Sequence, residues 1–120
     1  MRAASRSLAL SLAAPTIWAA HFLALYGAQA LICTGPGAAA RSDRLLPFAI
    51  AATMVAAAGL LGILALRIAA SWRARQAIEG IARPAFWRDV PTVLALLALL
   101  GVLWGASPTM LLPACAPAPA

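Results

Sequence analysis

Residues 45–66, LLPFAIAATMVAAAGLLGILAL, carry no charged side chain, and the run stays free of charge until Arg67. A bilayer's hydrocarbon core is about 30 Å thick and needs about 20 predominantly apolar residues of helix to cross it, so this stretch is long enough. No water serves the backbone amides at that depth, and a helix is the one segment that satisfies its own. Two more runs of the same character flank it, 8–32 and 90–112, and neither holds an Asp, Glu or Arg. The pattern predicts an all-α integral membrane chain, a single transmembrane domain over 1–120, with spanning helices at about 8–32, 45–70 and 90–112.

The composition agrees: 64% of the 120 residues are hydrophobic and 10% are charged. Soluble domains carry about 25% charged residues. A soluble fold of this size has too little interior to hide so much apolar surface. Lipid is the partner such a surface requires.

The connectors are punctuated accordingly. Thr34-Gly35-Pro36-Gly37 stops the first helix, since Gly and Pro are the strongest local turn signals. Ser42 or Asp43 is placed to cap the second helix, with Pro47 in its first turn, where a missing N–H costs little. Asp89 is placed to cap the third, with Pro91 close behind. The second helix is expected to run on through Arg73 and Arg75. Gly80 and Pro84 then interrupt it, leaving Phe86 and Trp87 in a short segment at headgroup depth.

All nine basic residues are arginine. With three spans, Arg2, Arg6, Arg67, Arg73, Arg75, Arg83 and Arg88 fall on one side and Arg41 and Arg44 on the other. The positive-inside rule therefore puts the N-terminus in the cytoplasm and the C-terminus in the periplasm of a bacterial inner membrane. Arg73, Arg75, Arg83, Trp87 and Arg88 read as membrane-surface anchors, the arginines facing anionic headgroups. No basic and aromatic surface remains to track a nucleic acid strand. A secretory leader cleaved after Ala28-Gln29-Ala30 is the competing reading of the N-terminus. The apolar stretch is too long for one and contains Pro15, Trp18, His21 and Tyr26.

His21 lies near the middle of the first run. Helical spacing puts Trp18, His21 and Leu25 on one face, with Phe22, Tyr26, Gln29 and Cys33 as an adjacent stripe. An ionisable residue inside a span points to a functional site turned toward other helices. Trp18, His21, Tyr26 and Gln29 are accordingly the candidate intramembrane polar or partner site. The plainer reading of His21 is packing glue, an imidazole hydrogen-bonded to a neighbouring helix. Axial haem or metal ligation would need a second ligand at the same depth, for which Met54 and Met110 are the membrane-embedded candidates.

Cys33 and Cys115 both fall on the outer side, where the bacterial compartment is oxidising. A disulfide, two free thiols and a copper(I) site are all open readings of the pair, soft sulfur ligands being selective for copper(I). Gly101–Gly105 is a GxxxG, and Ala58–Gly62 is a small-xxx-small pair; both allow close helix packing in lipid. No enzyme constellation can be read. Asp43, Glu79 and Asp89 all lie in connectors, and there is no phosphate loop, metal-spaced His cluster or nucleophile–base pair.

At Pro15, Trp18, His21, Phe22, Tyr26 and Cys33 the chain resembles small three-span bacterial membrane proteins associated with haem–copper cytochrome c oxidase gene clusters. Their P-x-x-W-x-x-H-F-x-x-x-Y stretch opens the chain in the same way. The closing Leu111-Leu112-Pro113-Ala114-Cys115 is similar as well. The resemblance covers the first helix and the tail. It implies a non-catalytic accessory protein, assembly factor or minor subunit of a respiratory oxidase, with other membrane subunits as partners. The residues themselves call for no cofactor, with haem at His21 or copper at the cysteine pair as the open alternatives. The reading from another class is a structural or channel-like small membrane protein unrelated to respiration.

Overall fold

The computed structural model describes the backbone of residues 2–77 and 85–115, and the side chains of 5, 8–73 and 89–115. All regular structure among these residues is helical: α1 (Arg2–Cys33), α2 (Ala38–Ser42), α3 (Leu45–Ala77) and α4 (Ala85–Leu111). At about 1.5 Å per residue, the long helices measure about 40–50 Å, more than the hydrocarbon thickness. Three apolar segments, Leu8–Cys33, Ala38–Arg73 and Asp89–Leu111, are long enough to cross a membrane.

The helix ends differ from the expectation in three places. α1 begins at Arg2, well before the apolar run, because helical hydrogen bonding does not stop where hydropathy does. α4 begins at Ala85, so Asp89 lies inside it and not at its cap; the expected interfacial segment around Phe86 and Trp87 is the start of this helix. Pro91 removes one N–H from a helix that continues on both sides of it. Between the Thr34–Gly37 turn and α3 the connector forms α2, a helix that the sequence reading did not mark. There the Ser42 hydroxyl donates to the Ala39 carbonyl (2.6 Å), and Asp43 is the C-terminal cap of α2. The expected break at Gly80 and Pro84 lies outside the described residues.

α1, α3 and α4 each pack against the other two. The interior is mainly small: Ala14, Ala56, Ala95 and Ala98 enclose Leu60, Leu64 and Val102, while Ala49 and Ala106 enclose Leu25. Lipid is as apolar as these side chains, so burial from water does not drive the helices together here. Close backbone approach and dispersion do. The large apolar side chains point outward, among them Leu23, Leu31, Val55, Leu66 and Trp104. This is a bundle compatible with lipid on all sides.

Prolines inside α1 and α4 leave carbonyls to satisfy. Pro108 cannot donate to the Trp104 carbonyl one turn back, and the Ser107 hydroxyl donates to that oxygen instead (2.8 Å). At the turn after α1, Gly35 and Gly37 adopt φ of +81° and +82°, a region open to glycine at no steric cost. Arg41 holds this turn, its guanidinium donating to the carbonyls of Thr34 (2.9 Å) and Pro36 (3.4 Å).

Candidate functional site

The residues singled out on α1 separate into an inward pair and an outward stripe. His21 and Leu25 turn into the bundle, and His21 is 5% exposed. Its Nε2 lies 3.1 Å from Thr53 Oγ1 on α3, itself 8% exposed. The Thr53 hydroxyl has one proton, and it donates that proton to the Ala49 carbonyl at 2.7 Å. The hydroxyl oxygen is therefore the acceptor toward His21, and Nε2 is the donor. Imidazole, hydroxyl and carbonyl form one chain joining α1 to α3 inside the apolar interior. Among the described residues, no fully buried side-chain nitrogen or oxygen lacks a hydrogen-bond partner.

Sequence reading did not find Thr53. The available signal was that it is the sole hydroxyl between Leu45 and Leu66. Met54 and Met110, the other candidate ligands, point out of the bundle, and the structure does not bring them to His21. Among the described residues, no group of three His, Cys, Asp or Glu side chains converges on one point.

The outward stripe is aromatic. Trp18, Phe22 and Tyr26 follow one another at four-residue spacing, with ring centroids 6.0 Å and then 4.3 Å apart, tilted by about 35°. They are 42%, 41% and 49% exposed, respectively. Trp18 thus joins Phe22 and Tyr26 and leaves the face of His21. One edge of its indole lies over Gly101 of α4: a methyl group on that glycine would fall 2.6 Å from Nε1. Beside it, Pro15, Trp18, Leu94, Leu97 and Ala98 line an apolar groove of about 230 Å³ between α1 and α4. Gly101 is thus the residue of the GxxxG that a neighbouring helix presses on, while Gly105 has open space above it. Ala58 and Gly62 face away from the bundle, and Gly62 also has open space above it.

The C-terminal end of the same stripe is covered by the tail. Cys33 and Cys115 form a disulfide, with Cα atoms 5.3 Å apart. One turn before Cys33, the Gln29 amide donates to the Ala114 carbonyl at 3.3 Å. The same carbonyl oxygen lies 3.1 Å from Cys33 Sγ, a packing contact, since a disulfide sulfur carries no proton to donate. Of the expected surface anchors, Arg73 is exposed and its Nε donates to the Ala69 carbonyl at 3.3 Å. Arg83 and the side chains of Arg75, Trp87 and Arg88 lie outside the described residues.

Compared with known protein families, with characterised proteins and with solved structures, the chain matches none.

Proposed function

We propose that this chain is a small non-catalytic protein of the bacterial inner membrane, an accessory subunit or assembly factor that docks beside the membrane subunits of a respiratory cytochrome c oxidase. The observation that carries the docking role is the half-exposed ladder Trp18–Phe22–Tyr26. Core packing does not explain Phe22 and Tyr26, because the interior is filled by alanine, leucine and the His21–Thr53 pair, and Trp18 rests one edge on Gly101 of α4 while staying 42% exposed. Three stacked aromatics beside an apolar groove make a rigid, low-entropy surface of the kind that concentrates binding energy in a few side chains. The oxidase as partner rests on the resemblance of the P-x-x-W-x-x-H-F-x-x-x-Y stretch. Three of its residues are those of the ladder, so what the motif specifies is largely a face turned outward. The orientation, N-terminus inside, rests on the arginine distribution.

The test is affinity recovery in mild detergent. Wild-type protein should bring down oxidase subunits, and Phe22→Ala/Tyr26→Ala should lose them while accumulating normally in the membrane. A hot-spot aromatic is worth about 2 kcal/mol or more, roughly thirty-fold in affinity. Equal recovery by the double variant would remove the ladder from the interface. Recovery of nothing beyond the chain itself would favour the structural or channel-like reading.

A further inference from the structure

We infer that Pro113–Cys115 is a redox-released strap, which in the oxidised protein covers the outer end of the α1 docking face and on reduction uncovers it. The inference rests on the docking role proposed for that face, and it adds the face's regulation.

At 100° per residue, Trp18, Phe22, Tyr26, Gln29 and Cys33 all fall within an arc of about 80°. They form one continuous stripe down α1, aromatic along most of its length and polar at its outer end. The aromatic part is open. The outer end is not: Gln29 donates to the Ala114 carbonyl, and Cys33 is bonded to Cys115. Among the described residues, apart from α4 itself, which ends at Leu111 with Leu112 N–H donating to the Pro108 carbonyl, these are the covalent and hydrogen-bond ties that hold the tail to α1. Proline at 113 has no N–H to add another. One covalent bond and one neutral hydrogen bond therefore keep the strap in place, and a single exchange reaction removes the stronger.

The reductant required is an external dithiol. Its thiolate attacks one sulfur of the bridge, and the other sulfur leaves as a thiolate and takes up a proton. The reductant's second thiol then displaces the remaining cysteine from the mixed disulfide. The bridge gains two electrons and two protons, and the dithiol becomes a disulfide. Cys33 and Cys115 are each only partly buried, so a reagent can approach the bridge. With the strap gone, Gln29 and the Cys33 thiol extend the open stripe by more than a turn.

The experiment uses the full chain in phospholipid nanodiscs, with a benzophenone amino acid at position 114, which keeps the backbone carbonyl that accepts from Gln29. In the oxidised protein, irradiation should give an intramolecular adduct on residues 26–33 of α1. Dithiothreitol, or the substitution Cys115→Ser, should reduce that adduct to background. The reduced protein folds before it is reduced, so poor accumulation of Cys115→Ser would not remove the test. An adduct of undiminished yield after reduction would overturn the strap. In the recovery assay described above, Cys115→Ser should bring down several-fold more oxidase than wild type. Equal recovery together with loss of the adduct would overturn the gating. If neither protein recovers a partner, the docking role fails, and persistence or loss of the adduct still decides whether the strap opens.

Discussion

His21 and Thr53 share a hydrogen bond, but the two residues are not equivalent in what their loss leaves behind. Thr53 gives its proton to the Ala49 carbonyl whether or not an imidazole is present. His21→Leu therefore strands no donor, and leucine is welcome in an apolar interior. Its cost should be about 0.6 kcal/mol, the average for such bonds within membranes. Thr53→Val instead leaves the Nε2–H facing a methyl group, with an orphaned donor costing about 1–3 kcal/mol. In a reversible unfolding assay in bicelles, Thr53→Val should be the more destabilising variant, and adding His21→Leu to it should recover most of the loss. The reverse ranking would contradict the direction of the hydrogen bond. At this scale the sequence marked His21 plainly, since it is the chain's one histidine and sits deep in an uncharged run. Its partner was hidden because the pairing depends on the relative depths of α1 and α3, which no local pattern records.

The three long helices were legible in their existence and much less so in their ends. Hydropathy reports where lipid begins, whereas a helix ends where hydrogen bonding or φ/ψ fails, which is why α1 and α4 start before their apolar runs. The small-residue motifs show a similar limit. Gly101, Gly105, Ala58 and Gly62 look alike in sequence, yet Gly101 alone among the three glycines has a side chain packed where a Cβ would go. Gly101→Ala must push the Trp18 indole aside or part α1 from α4, an overpacking cost of about 1–3 kcal/mol. Gly105→Ala and Gly62→Ala meet open space and gain helix propensity, so they should be neutral or slightly stabilising. Unfolding free energies of the three variants in the same bicelles will rank them. A Gly101→Ala protein as stable as Gly105→Ala would place the indole elsewhere.

For the whole molecule, the three-span, all-α architecture could be read from hydropathy because each span holds a long run free of charge. The bridge between Cys33 and Cys115 could only be narrowed to one possibility among several, because it needs α1 and α4 to end at the same face of the bundle with the tail folding back. The structure shows that arrangement. Every functional proposal here assumes that this face lies outside the cell: the disulfide's compartment, the strap's access to a dithiol and the sidedness of the partner. A pair of reporter fusions, an enzyme active only in the periplasm and a fluorophore that matures only in the cytoplasm, tests that assumption directly. Fused after Ala120, the periplasmic enzyme should be active and the fluorophore dark; inserted beside Glu79, the pattern should invert. The opposite pair of signals would turn the protein over in the membrane, and matching signals at the two sites would contradict three spans.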